Sequence, residues 1–247
     1  MARKHGFGRK YSPDPEDRGY LLRRRLAAAG TPLPTRKTWR INATALNQGA
    51  TGTCVGHAWA NFLRCAPIQS AKDVPSPYDI YRKAVAVDAW SENDDEVTLP
   101  DHDRGLDFGT SVRAGAEAVT GFGRLKTYLW AFTLQPALEF VLTQGPVVLG
   151  INWYSSFMPD AEGIITIRPT ARVAGGHALL WRGADTKRGL ALLSNSWGDT
   201  WGKSGECFIP LRDLDRLIAL EQGEACTAIE QRLRASVALP PPARAAA

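Results

Sequence analysis

The chain has 247 residues, 44% of them hydrophobic and 22% charged, with 23 glycines, 16 prolines, four cysteines and eight tryptophans. This is the composition of an ordinary folded protein, and it excludes a disordered, collagen-like or disulfide-scaffold chain. The net charge of +5 is uneven, because residues 1–40 carry eleven Lys/Arg against three Asp/Glu and leave the remainder slightly acidic.

The length sits near the size at which one core stops growing, so one large domain or two sharing an interface is expected. Composition divides the chain into a basic arm (1–40), a helical part (41–130), a β-rich part (131–230) and a Pro/Ala tail (231–247). The arm is punctuated by Ser12-Pro13-Asp14-Pro15 and Thr31-Pro32-Leu33-Pro34 and has room for one short helix over 19–29. It lacks the spaced aromatics of a base-stacking surface, so nucleic acid is not an expected partner. The stretch 88–107 holds eight acids and one arginine, which makes intramolecular docking of the arm an alternative.

Next along the chain, Gly49 to Thr53 forms a turn, and Cys54 to Cys65 has helical composition with apolar residues around most of its circumference, the mark of a buried helix. Ser76-Pro77 is a cap followed by proline at the first helical position, opening a helix to Val87. Gly109-Thr110-Ser111 opens another over Val112 to Val119. Pro136 to Gln144 is helical and stopped by Gly145-Pro146. Strands are expected at 147–153, 164–167, 177–182, 190–195 and 206–209. Helices first and strands second imply an α+β architecture.

No apolar run reaches the ~18–20 residues needed to cross a bilayer. The basic start has no apolar segment behind it, so it does not read as a secretory signal, and a cytoplasmic location is expected, with unconventional export left open. The four cysteines, Cys54, Cys65, Cys207 and Cys226, form no Cys-x-x-Cys pair. Cys54-x-x-His57 is half a zinc spacing without a second half, so neither metal nor cofactor is expected.

Cys54 has surroundings that favour chemistry. A thiol attacks as thiolate, and the N–H groups at a helix start lower its pKa. Of the four histidines, His5 lies in the arm and His102 in the acidic stretch, where both are expected to be solvated. His57 projects from a buried helix and reads as a packed core residue. His177 begins a strand-like run, and a hairpin centred on Thr186 places it directly opposite Asn195. An amide oxygen there can orient the imidazole, the third role in an activated-nucleophile arrangement. Gln48, six residues before Cys54, can bring a side-chain amide beside the Cys54 backbone N–H to hold a developing oxyanion.

Gln48-Gly49-Ala50-Thr51-Gly52-Thr53-Cys54 resembles the nucleophile segment of papain-like cysteine peptidases. Gly176-His177-Ala178 and Asn195 to Glu206 (Asn-Ser-Trp-Gly-Asp-Thr-Trp-Gly-Lys-Ser-Gly-Glu) resemble that family's histidine strand and asparagine–tryptophan segment. The resemblance covers about residues 40–220. It implies a helical left domain carrying Cys54, a β-barrel-like right domain carrying His177 and Asn195, and a cleft between them. It also implies that Trp197 shields the His177–Asn195 hydrogen bond and borders one side of the cleft, and that Gly109 and Thr110 offer backbone to an extended substrate.

Thr51 and Val55 stand where the family commonly has Cys and Trp, so its usual disulfide there is not expected. Val55-Gly56-His57-Ala58 looks like prokaryotic or viral members. Forty-seven residues precede Gln48, fewer than the large inhibitory propeptide of secreted relatives, which leaves coverage of the cleft by the basic arm as the candidate restraint. The expected activity is peptide-bond hydrolysis through a thioester on Cys54, with a protein or peptide as substrate. A thiol amidase or transferase acting on a non-protein amide, and a catalytically silent binding module, are the alternatives.

Overall fold

The computed structural model describes residues 5–24, 26, 32–68, 74–88, 108–123 and 125–230. Three helices precede the main run of strands: α1 (Cys54–Arg64), α2 (Pro77–Val87) and α3 (Val112–Gly121). Ser76 caps α2 by accepting from the Asp79 N–H, and Ser111 caps α3 by accepting from the Ala114 N–H. Both are the side-chain oxygens that satisfy helix-start donors. α1 is buried from Cys54 through Leu63.

Seven strands form one antiparallel sheet: β2 (Arg36–Thr38), β4 (Leu125–Ala131), β5 (Val147–Tyr154), β6 (Val173–Asp185), β7 (Leu190–Ser194), β8 (Glu206–Pro210) and β9 (Glu224–Glu230). The order is β4-β9-β5-β6-β7-β8, with β2 also pairing to β6. Two further helices, α4 (Leu134–Thr143) and α5 (Leu211–Leu220), complete the set.

Alternate residues of the central strands divide between two cores. Val148, Ala178 and Leu180 pack with Trp59, Phe62, Ile80 and Val119 of the first three helices. Leu149, Ile151, Leu179 and Trp181 pack with Phe140 and Val141 of α4 and Leu214 and Leu217 of α5. A strand alternates its side chains between faces, so the sheet is apolar on both sides because both sides are covered.

The β6–β7 register differs from the expected one. Trp181 pairs with Leu193 and Leu180 with Ser194, and a bulge between Trp181 and Gly183 shifts the remaining pairs by one. Ala178-Leu179-Leu180-Trp181 and Leu190 to Leu193 are apolar on both faces, so patterning does not select among registers. At the bulge, a side chain on Gly183 would meet the Lys37 carbonyl oxygen at 2.7 Å, so glycine lets β2 close onto β6 there.

Several local expectations also change. Residues 164–167 form no strand; Ile164 makes an isolated bridge to Phe208. Of the short helix expected over 19–29, the described residues contain a 3₁₀ helix over Leu22–Arg24, with another over Pro15–Gly19 before it, and residues 25 and 27–29 lie outside the described residues. β4, β9 and α5 lie where the sequence pattern gives no element. Residues 89–107, with His102, and the tail 231–247 lie outside the described residues. Among the described residues, no helix is long and apolar enough to cross a membrane, and no group of three or more His, Cys, Asp or Glu is arranged to hold a metal ion.

Candidate active site

Cys54 is the first residue of α1 and is fully buried. The backbone amides of Ala178, Gly8 and Val55 face its sulfur and favour the thiolate, but burial outweighs them and pushes the thiol up to about 11. The contact with Ala178 brings the N-terminal end of α1 against the strand that carries His177.

His177 is also fully buried, and its Nε2 lies 2.7 Å from Asn195 Oδ1. An amide oxygen only accepts, so Nε2 carries the proton and donates. The Ser196 N–H donates to the same Oδ1 at 2.8 Å, which fixes the orientation of the Asn195 amide. His177 Nδ1, on the opposite edge of the ring, is buried with no hydrogen-bond partner. Desolvation lowers the imidazole to about 4, so it is neutral at physiological pH. The site therefore rests as a thiol and a neutral imidazole.

The two residues meet although they are not cross-strand partners in the expected sense. The observed pairing is offset by two from the expected one at this end of the hairpin. A shift of two keeps the same face, and diagonal neighbours remain within side-chain reach.

Gln48 is buried, and its position is set by Ser196: the Ser196 hydroxyl donates to Gln48 Oε1 at 2.6 Å, and the Gln48 N–H donates to the Ser196 carbonyl at 2.8 Å. Its Nε2 donates to the Thr51 carbonyl at 2.7 Å and to the Gly6 carbonyl at 3.2 Å. Trp197 lies over His177 with ring centroids 4.7 Å apart. His57 is occupied elsewhere, with Nδ1 3.0 Å from the Thr53 carbonyl and its ring edge-on to Tyr78.

A segment of the chain itself runs through this site. His5 stacks on Trp197 at 4.4 Å, in place of the solvated position expected for it, and burial lowers its pKa. Phe7 sits edge-on to His177. Gly6 N–H donates to the Gly49 carbonyl and Gly8 N–H to the Gly176 carbonyl. Thr110 N–H donates to the Gly8 carbonyl at 2.8 Å. Beyond Gly8, β1 (Arg9–Lys10) pairs in parallel with β3 (Thr110–Ser111). The fit excludes side chains: a Cβ on Gly8 would lie 1.7 Å from the Gly52 carbonyl oxygen, and one on Gly6 2.0 Å from that of Thr51. Gly109 has φ +73°, and a Cβ there would meet the Gly8 carbonyl oxygen at 2.3 Å.

The sequence profile of papain family cysteine proteases matches residues 42–215, most of the chain and all four of Gln48, Cys54, His177 and Asn195. The chain belongs to the papain family of cysteine proteases. Among solved structures, this papain-family chain is similar to xylellain, a cysteine protease from Xylella fastidiosa, at TM-score 0.66 and 17% identity, over 94% of this chain and 99% of that one. It is also similar to procathepsin L2 from the larval midgut of Tenebrio molitor, at TM-score 0.65 and 18% identity over 91% and 78% of the two chains. The proform of the ragweed pollen cysteine protease Amb a 11 matches at TM-score 0.59 and 15% identity over 96% and 68%. No curated protein sequence matches the chain. These likenesses show the papain-like fold.

Coverage of the cleft by the basic arm is among the expectations, but its exact path and the Ser196 contact are not legible in the sequence. Ser196 follows the expected asparagine, but its grip on Gln48 depends on how the 46–48 loop meets the 195–198 loop. The path of residues 5–10 depends on glycine spacing (Gly6, Gly8) that is visible in the sequence but has no reading until Gly52, Gly109 and Gly176 are seen to face it.

Proposed function

We propose that the protein hydrolyses peptide bonds by acyl transfer through Cys54, with His177, Asn195 and Gln48 as its partners. The Cys54 thiol loses its proton to His177 Nδ1 as the sulfur attacks the scissile carbonyl carbon. The carbonyl oxygen becomes an oxyanion held by Gln48 Nε2 and the Cys54 backbone N–H. Collapse of this intermediate breaks the C–N bond, and the imidazolium gives its proton to the departing amine, leaving a thioester on sulfur. Water then attacks the thioester, its proton passes to His177, and collapse releases the acid and restores the thiol. Asn195 holds the ring in one tautomer throughout, and Trp197 keeps water from the Asn195 hydrogen bond.

The observation that carries this reading is the extended peptide already lying in the groove. Residues 6–10 give Gln48 Nε2 a carbonyl to hold and give Thr110 another. A groove that binds main chain in this way favours a polypeptide substrate over a non-protein amide. The same segment restrains the enzyme, because it occupies the place of substrate and dries the nucleophile. The test is stoichiometric reaction of Cys54 with a peptidyl vinyl sulfone together with hydrolysis of a peptide library. Loss of both in Cys54→Ala is the expected result, and retained hydrolysis in that variant would remove the mechanism.

A further inference from the structure

Two threonines tie the turn that carries Gln48 to the start of α1, where Cys54 stands. The Thr51 hydroxyl donates to the Gln48 carbonyl at 2.7 Å, and the Thr51 N–H reaches the same oxygen at 3.3 Å. In return, Gln48 Nε2 donates to the Thr51 carbonyl at 2.7 Å. Behind Thr51 lies the fully buried Thr53, its Oγ1 2.7 Å from Thr51 Oγ1 and 3.2 Å from His57 Nδ1. The direction of each bond follows from its neighbours. His57 Nδ1 stands 3.0 Å from the Thr53 carbonyl, which only accepts, so Nδ1 carries the hydrogen. The Thr53 hydroxyl therefore donates to Thr51 Oγ1, because the hydrogen of Thr51 is spent on the Gln48 carbonyl. Thr53 is also the N-cap of α1, where a threonine hydroxyl commonly accepts from a helix N–H, yet it makes no such bond. Its hydroxyl serves the Gln48 turn instead.

We infer that Thr51 and Thr53 are positioning residues for Gln48, holding its carboxamide so that one N–H is presented to the oxyanion. The inference rests on the thiol peptidase reading above and deepens it. A glutamine side chain has two N–H donors and one carbonyl oxygen. Here Oε1 is taken by the Ser196 hydroxyl at 2.6 Å, one N–H by the Thr51 carbonyl, and the other by the Gly6 carbonyl at 3.2 Å. When residues 5–10 leave the groove, the N–H on Gly6 is the one released to a substrate. A carboxamide gripped at both ends cannot turn that N–H away. A donor fixed in advance stabilises developing charge better than one that must first reorient. Thr53 directly precedes Cys54, so the same pair of hydroxyls also fixes the separation of the two oxyanion donors, Gln48 Nε2 and the Cys54 N–H. Thr51 stands where the family commonly has cysteine, so this contact is a feature of this chain.

The test compares two reactions of Cys54 in the full chain. Hydrolysis of an internally quenched peptide library develops charge on a carbonyl oxygen. Alkylation by iodoacetamide, in which sulfur displaces iodide, develops none, and is read at Cys54 by peptide mass. Both wait for residues 5–10 to leave the groove, so the ratio of the two rates does not depend on how often the segment leaves. Thr51→Val keeps the shape and removes the hydroxyl, and the hydrolysis-to-alkylation ratio should fall by about tenfold or more. Thr51→Ser keeps the hydroxyl and should hold the ratio within about threefold of wild type. Gln48→Ala sets the scale, with an expected fall of about 100-fold or more. Thr53→Val breaks the same chain one step further back; it should lower the ratio by about threefold or more, and it decides the matter if Thr51→Val does not fold. An unchanged ratio in the valine variants while Gln48→Ala lowers it, or a fall that Thr51→Ser shares, overturns the positioning role and leaves the peptidase reading standing. An unchanged ratio in Gln48→Ala takes Gln48 out of the reaction and overturns the inference with it. If the wild type hydrolyses nothing, the peptidase reading fails on its own, and the threonines are read from hydrogen exchange of the Gln48 side-chain amide by nuclear magnetic resonance. Exchange about tenfold faster in Thr51→Val than in wild type and Thr51→Ser supports the positioning role; equal rates overturn it.

Discussion

Gln48 donates its side-chain amide to the carbonyl oxygen of Gly6, 3.2 Å away. The donor proposed to hold the oxyanion is thus already holding a peptide carbonyl of the protein's own chain. The glycines on either side of Phe7 are what allow it. Gly8→Val places a side chain where 1.7 Å separates a Cβ from the Gly52 carbonyl oxygen, so the segment cannot stay. Labelling of Cys54 in this variant should accelerate by about tenfold or more, because each kcal/mol-scale loss of docking raises the open population accordingly. An unchanged labelling rate would mean that the segment does not restrain the thiol.

The pH dependence of labelling carries a second prediction. Burial pushes the Cys54 thiol up to about 11, so the thiol form dominates at pH 7 and the reactive thiolate grows as pH rises toward 11. Wild-type labelling should therefore climb throughout pH 7–10. In Gly8→Val, water reaches the sulfur, the desolvation that raises its pKa is relieved, and the curve should level off at lower pH. Stopped-flow or timed mass-spectrometric labelling across this range checks it.

His57 and Asn195 separate stability from chemistry. His57 is buried against Thr53 and Tyr78 and is held at about 4 by burial, against 6.5 when exposed. Between these values the unfolded chain takes up a proton that the folded chain refuses, so stability falls as pH drops from 6.5 to 4. The difference amounts to roughly 3 kcal/mol at the acid end. His57→Gln should flatten this part of a denaturant-unfolding profile relative to wild type while leaving labelling of Cys54 within a few-fold.

Asn195→Ala should do the reverse. It removes the acceptor that orients the imidazole, with a loss of about 10- to 100-fold in hydrolysis, less than the loss from removing His177 itself. Unchanged turnover in Asn195→Ala, measured in the Gly8→Val background, would take Asn195 out of the site.

Much of this arrangement is legible in the chain because it is local. The caps at Ser76 and Ser111 and the apolar girdle of Cys54 to Leu63 give the helices their starts and their burial. His177 and Asn195 come together even though the hairpin register differs from the expected one, since a shift of two residues keeps the same face. The register itself was hidden because Leu179 and Leu180 are both buried, on opposite faces. α5 shows only a narrow stripe, Leu214, Leu217 and Ile218, amid charge, and β9 is marked by a single turn signal, Gly223, just ahead of it. Glu224 carries no local sign of its burial, because its place is created by β9 lying against β5, more than 70 residues away in sequence. Likewise Arg9 is one of eleven cations in the basic arm by sequence, and only the partner 215 positions away makes it a buried group.

The most direct measurement is an active-site titration of the full-length protein with a peptidyl vinyl sulfone, read by intact mass and by peptide hydrolysis in parallel. One equivalent should bind at Cys54, abolish hydrolysis, and be lost in Cys54→Ala and His177→Ala while persisting in Cys65→Ala, since Cys65 is buried with its thiol raised to about 12. Label on another cysteine, or hydrolysis surviving full modification of Cys54, would contradict the account.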